Sequence, residues 1–136
     1  MDIIKAMKIS AAGLKAQGTR LRVISENIAN ADSLAKQPGE APYTRKVVTF
    51  KNELDRKLGA EIVKVDRIHA PQAQFKKHFD PTHPAADRDG YVETPNVDSL
   101  VEMMDMREAQ RSYEANLSVI EISKGMLRGT IGLLER

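Results

Sequence analysis

From Ile3 to Ala31 the apolar residues recur at a helical, nearly heptad spacing. Met7, Leu14, Leu21 and Ile28 fall seven apart, and Ile4, Ala11, Gly18 and Ser25 form the companion series of the same 3-4 repeat. One seam position is large and its companion mostly small. Small residues let a neighbouring backbone come close, so the stripe predicts a long helix packed against another long helix rather than a membrane span. A run of about 27 residues extends roughly 40 Å.

A second helix is predicted from about Ser99 to Leu134. Met103, Gln110, Leu117, Lys124 and Ile131 alternate with Met106, Tyr113, Ile120, Leu127 and Leu134, which sustains a coiled-coil register despite two polar members. Asp98 or Ser99 is suited to cap its start, and Glu102, three residues beyond Ser99, has the spacing of a capping box. Gly125 and Gly129 weaken the last turns by about 1 kcal/mol each relative to alanine, which predicts fraying of an isolated helix.

Between the helices the pattern changes. The stretch "LAKQPGEAPYT" has the proline and glycine content of a loop leaving the first helix. "YTRKVVTF" and "EIVKVDRI" are β-branched and partly alternating, as strands are, with "KNELDRKLGA" as a charged connection or short helical turn between them; "HFDPTHPAADRDGYVETPN" reads as irregular. The expected fold is therefore mainly α with a small β-rich insert. Its segments are an N-terminal helix and turn (1–36), an insert with loops forming a small outer β domain (37–95) and a C-terminal helix (96–136), with the two helices pairing as a coiled-coil-like core.

Composition narrows the function. Aromatic residues make up 4% of the 136, so the core must be aliphatic, with six methionines contributing. The net charge of +2 is too small, and the basic residues too dispersed, to imply nucleic acid. Its distribution is more telling: residues 1–36 carry six Lys or Arg against three acids, and residues 96–136 carry five against seven. The two ends are complementary, which biases register more than it stabilises, since exposed pairs contribute about 0 to 1 kcal/mol each. The absence of cysteine excludes disulfides, thiolate metal sites and cysteine nucleophiles. The N-terminal stretch lacks the apolar core of a secretory signal and no long apolar run occurs, so neither a cleaved signal nor membrane insertion is expected.

The best metal-like cluster is "HFDPTH", with His78, Asp80 and His83 and with His69 upstream. Imidazole and carboxylate suit zinc, but the histidine spacing straddles a proline, and no HExxH-like helix presents both rings on one face. Polar residues in a proline-rich loop is the plainer reading. "DRDG", Asp87 to Gly90, starts like a calcium loop yet lacks the further ligands, and reads as a glycine-assisted turn before a strand. No GxSxG elbow and no glycine-rich phosphate loop occurs. Met103, Met104 and Met106, at helical spacing, read as seam residues rather than as a promiscuous binding surface. No catalytic constellation and no cofactor site emerges; a small metal-dependent hydrolase built on His78, Asp80 and His83 is a distant alternative.

One stretch resists a purely local account. "SENIANADS", Ser25 to Ser33, places Asn27, Asn30, Asp32 and Ser33 at the end of the first helix, where they either terminate it or also bond a neighbour. The longer block "SAAGLKAQGTRLRVISENIANADS" resembles the N-terminal signature of the bacterial flagellar axial proteins, the rod, hook and hook-associated families. The block "GYVETPNVDSLVEMMDMREAQRSYEAN" resembles the C-terminal signature of the flagellar basal-body rod family, and the shortness of the chain together with "TPNVD" favours its proximal-rod branch. The middle matches loosely, at "PYTRKVVTF". The resemblance implies a non-enzymatic structural subunit, passed by the flagellar export apparatus without a cleaved signal. It would assemble with copies of itself and other rod proteins into the periplasmic rod that transmits motor torque. Another short rod or hook-type axial protein, or an adaptor, is the nearer alternative. Subunit packing would fall to Met7, Ala11, Leu14, Leu21 and Ile28 on one helix and to Met103, Met106, Tyr113, Leu117, Ile120, Leu127, Ile131 and Leu134 on the other. Asn27, Asn30 and Asp32 would satisfy backbone groups where packed neighbours exclude water.

Overall fold

The computed structural model describes residues 2–134; Met1, Glu135 and Arg136 of the two terminal segments lie outside the described residues. Six elements follow in order: α1 (Ile3–Ala29), β1 (Val47–Asp55), β2 (Ala60–His69), β3 (Lys76–Phe79), β4 (Tyr91–Thr94) and α2 (Ser99–Leu134). Two long helices at the ends and two small sheets, β1 with β2 and β3 with β4, make the chain mainly α with a β insert.

Both helices start on an aspartate. The Asp2 carboxylate accepts the Ile4 N–H at 3.0 Å, and that of Asp98 accepts the Leu100 and Val101 N–H groups at 3.0 and 3.4 Å, satisfying donors that have no partner within the first turn. Asp98 is thus the cap of α2. Glu102, read from the sequence as the return arm of a capping box, instead points inward and is 0% exposed.

The insert is more regular than its composition suggests. "KNELD" is not a connection: β1 continues through it to Asp55, and only Arg56–Gly59 turns. The Asp55 carboxylate holds that turn by accepting the Lys57 and Leu58 N–H groups at 2.9 and 3.1 Å. Lys51 lies 3.9 Å from Asp66, Lys64 bonds Glu53, and Thr49 Oγ1 donates to the Arg67 carbonyl, so residue numbers rise on one strand as they fall on the other. The Lys64 ammonium, through its hydrogen bond, holds the Glu53 carboxyl below the usual range. The stretch beginning at His78 is not wholly irregular either. β3 and β4 pair antiparallel with Phe79 opposite Tyr91 and His78 opposite Val92. The rings of Phe79 and Tyr91 meet edge to face at 5.3 Å between centroids. Gly90, just before β4, has φ +81°, a backbone conformation that calls for glycine, and a β-carbon there would lie a tight 3.0 Å from the Phe79 ring.

The chain divides into two compact units. The first comprises Met1–Leu21, Val48–Arg67 and Arg107–Arg136; the second comprises Arg22–Val47 and Ile68–Met106. In the first unit α1 and α2 touch through small and polar residues. Ser10, Gly13 and Ala16 are buried on α1, and Ala109 and Ser123 on α2. A β-carbon on Gly13 would lie 2.8 Å from the Asn116 amide oxygen, and Arg20 reaches Glu108 at 3.3 Å. Moving up α1 means moving down α2, an antiparallel contact. In the second unit the buried apolar residues are Val23, Ile24, Ala85, Val92 and Val97.

Candidate assembly surfaces

The second unit answers the question raised by "SENIANADS". Asn27, 1% exposed, uses every hydrogen-bonding position of its amide. Its Nδ2 donates to the Lys46 carbonyl at 2.8 Å and to Glu102 Oε2 at 3.1 Å. Its Oδ1 accepts from the Lys46 N–H and from the Tyr43 hydroxyl, both at 2.9 Å. The side chain therefore pairs with the Lys46 peptide as a neighbouring strand would, just where β1 begins. Glu102 completes the arrangement by accepting from Arg45 Nε, and Arg45 Nη2 also lies 3.4 Å from Asp105. A buried carboxylate is tolerated when it is paired and hydrogen-bonded in this way. Asn96, of the "TPNVD" block, accepts the Arg45 N–H at 2.8 Å. Burial among these groups raises the Tyr43 hydroxyl pKa above its ordinary value, with Lys46 opposing the rise.

Both terminal sequence blocks thus close on one short segment, Tyr43 to Lys46. Of the residues singled out beforehand, Asn30 has a local role: its Nδ2 donates to the Glu26 carbonyl at 2.8 Å and its Oδ1 accepts from Ser33 at 3.2 Å, finishing α1. Asp32 is exposed. Glu102, Arg45, Tyr43 and Lys46 were missed. The signal for Glu102 was available: Glu102, Ala109, Asn116 and Ser123 fall seven apart, a small and polar series one step from the large one.

The expected packing residues divide by exposure. Met7, Leu14, Leu21 and Ile28 on α1 and Met106, Tyr113 and Ile120 on α2 are partly buried, whereas Ala11, Met103, Leu117, Leu127, Ile131 and Leu134 are exposed. Leu100, Met104, Ile122 and Met126 add to the uncovered apolar surface of α2, each more than half exposed. These large apolar side chains of α2 are left without cover within the chain.

The histidine region is engaged otherwise. The Asp80 carboxylate accepts from the Thr82 hydroxyl at 2.7 Å and its N–H at 3.1 Å, and these bonds hold its carboxyl below the usual range. His83 Nδ1 accepts the Ala85 N–H at 3.1 Å, and His78 is exposed on β3. His69 is half-buried in β2 with Nδ1 unpartnered. Among the described residues no three His, Asp or Glu side chains converge to hold a metal ion, and no helix is long and apolar enough to cross a membrane.

Residues 7–33, which include α1's buried stripe and Asn27, match the family model described as flagella basal body rod protein, and residues 88–133 match that of the flagellar basal body rod FlgEFG protein C-terminal region. The class is that of the flagellar basal-body rod proteins. Relatives span nearly the whole chain. The flagellar basal-body rod protein FlgC of Agrobacterium fabrum is 52% identical over 96% of this chain and 94% of its own. FlgC of Bacillus subtilis is 39% identical over 93% and 95%, and FlgC of Salmonella typhimurium 38% over 98% of each. The chain belongs to the FlgC family of flagellar basal-body rod proteins.

Proposed function

We propose that this chain is a structural subunit of the flagellar basal-body rod, without enzymatic activity or cofactor. It packs through its terminal helices with copies of itself and with other rod proteins to form the periplasm-spanning shaft that carries motor torque. The carrying observation is the apolar surface that α2 leaves uncovered, from Leu100 to Leu134, in a chain of a rod-protein family. On this reading Met103, Leu117, Leu127, Ile131 and Leu134 meet neighbouring subunits, while Met7, Ala11, Leu14, Leu21, Ile28, Met106, Tyr113 and Ile120 complete a coiled-coil-like core once subunits stack. The segments 1–36 and 96–136 are its axial part and 37–95 its outer part. The subunit reaches the rod through the flagellar export apparatus without a cleaved signal peptide.

Leu117 tests the reading because it is 41% exposed in the single chain. Leu117→Asp should change the stability of the isolated chain by only about 0.5 kcal/mol in urea unfolding. In the rod it would bury an unpaired charge, at a cost of several kcal/mol. A strain lacking its own copy of the gene should therefore remain non-motile with this variant. Normal motility would show that α2 is not a packed inner element.

A further inference from the structure

α1 carries no acidic residue between Asp2 and Glu26, while Lys5, Lys8, Lys15, Arg20 and Arg22 lie along it. Arg20 and Arg22 are neutralised within the chain, by Glu108 and by Glu26 at 3.3 Å each. The lysines are not. Among the described residues no carboxylate comes within ion-pair distance of Lys5, Lys8 or Lys15. Ile4, Lys8, Ala11 and Lys15 follow one another at the four- and three-residue steps that keep to one helix face. All four are exposed, Ile4 by 53%, whereas Ser10 and Gly13, on the opposite side, are buried.

The turn between β1 and β2 extends this surface within the first unit. Lys5 Nζ stands 3.8 Å from where a β-carbon on Gly59 would lie, so the turn at Arg56–Gly59 sits beside the start of α1. Arg56 and Lys57 are exposed and, among the described residues, likewise without a carboxylate partner. The acids adjacent to these cations in sequence are Asp2, Asp55 and Glu61. Two of them are turned onto backbone: Asp2 accepts the Ile4 N–H, and Asp55 accepts those of Lys57 and Leu58. Unpaired cations on a helix face and an adjoining turn thus flank an exposed isoleucine.

We propose that this face of the free chain binds an anionic lipid bilayer surface. The ammonium and guanidinium groups meet acidic headgroups, the aliphatic stems lie along the surface, and Ile4 enters the boundary between headgroups and acyl chains. A sheet of mobile headgroups fits cations spread over a helix and a turn without matched geometry, and it also takes up the apolar side chain among them. The contact is peripheral, because among the described residues no helix is long and apolar enough to cross a membrane. It belongs to the chain before assembly: on the rod-subunit reading Ala11, in the same stripe, packs against neighbours, so seating in the rod releases the bilayer.

Co-sedimentation of the purified chain with vesicles tests this at an ionic strength of about 0.1 M, where exposed charges still act over about 10 Å. Vesicles of equal phosphatidylglycerol and phosphatidylcholine should bind it at least about tenfold more tightly than phosphatidylcholine alone. Lys8→Gln/Lys15→Gln/Lys57→Gln should bind about a hundredfold more weakly, at about fivefold per cation. Lys36→Gln/Lys76→Gln/Arg88→Gln removes the same charge from exposed positions of the second unit and should leave binding within about twofold. Ile4→Ser, which keeps every cation, should weaken binding at least about threefold. All these positions are exposed, and an unchanged urea midpoint verifies the fold of each variant. No binding to the mixed vesicles, equal binding to neutral ones, or equal losses in the two triple variants would each overturn the proposal. Retention of the chain by polyglutamate but not by vesicles, lost in the Lys8, Lys15 and Lys57 variant, would assign the face to an acidic protein and overturn it as well. Each of these outcomes leaves the rod-subunit reading, tested through Leu117, as it stands.

Discussion

Asn27 is a single amide on which three segments depend. Alanine there would strip partners from the Lys46 peptide, the Tyr43 hydroxyl and the Glu102 carboxylate at once, and unsatisfied buried groups cost about 1 to 3 kcal/mol each. Asn27→Ala should therefore destabilise the chain by about 3 kcal/mol or more, read as a shift of the urea midpoint. Asn30→Ala, which loses only local bonds at the half-buried end of α1, should cost about 1 kcal/mol. Equal effects at the two asparagines would mean that the Asn27 network is not what holds the second unit. The sequence marked Asn27, Asn30 and Asp32 alike, because all three residue types bond nearby backbone. Only burial separates them, and burial depends on chain that is distant in sequence.

At the scale of elements, the two helices ask opposite things of glycine. Removing a glycine from a helix interior ordinarily gains about 1 kcal/mol, and Gly125→Ala, with open space around it, should do so. Gly13→Ala should instead lose stability. Its β-carbon would displace the Asn116 amide, which is anchored by its own bond to the Ser112 carbonyl at 2.8 Å. A double-mutant cycle with Asn116→Ala checks this: the second substitution should recover about 1 kcal/mol of what Gly13→Ala loses, and additive effects would show that the helices do not meet there. The helices themselves were legible from their period. The strands were legible only in part. "KNELD" looked like a connection because its charges pair across β1 and β2, with Lys51 near Asp66 and Glu53 on Lys64, and much of the ribbon is exposed, which blurs the alternation that marks a half-buried strand.

For the whole molecule, the sequence predicts that long apolar helices without partners are mobile, since isolated helices are marginal in water. Their unequal burial sharpens that expectation. In a dilute monomer the amides of residues 124–134 should exchange within about seconds, while those near Val23 to Asn27 and Glu102 to Ala109, which include the most buried positions, should exchange about a hundredfold more slowly or better. Assembly into rods should bring the last turns of α2 under protection. Protection of residues 124–134 in a demonstrated monomer would mean that they already have an intramolecular cover.

What the sequence determined by itself is whatever depends on neighbours a few residues apart: two helices with apolar stripes, a start of α2 at Asp98 or Ser99, a glycine turn before β4, and the terminal blocks that mark a rod-family chain. Tertiary structure decided which polar residues became interior and which large apolar ones were left outside. Period shows that a helix has a face, but several adjacent stripes of α2 qualify. The Asn116 amide packs against the backbone at Gly13, so the innermost series in the first unit is the small and polar one and the leucines lie beside it. Glu102 could be recognised as a buried charge only once Arg45 and Asn27, far along the chain, were brought to it. The energy of a buried carboxylate lies in its partners rather than in its own position.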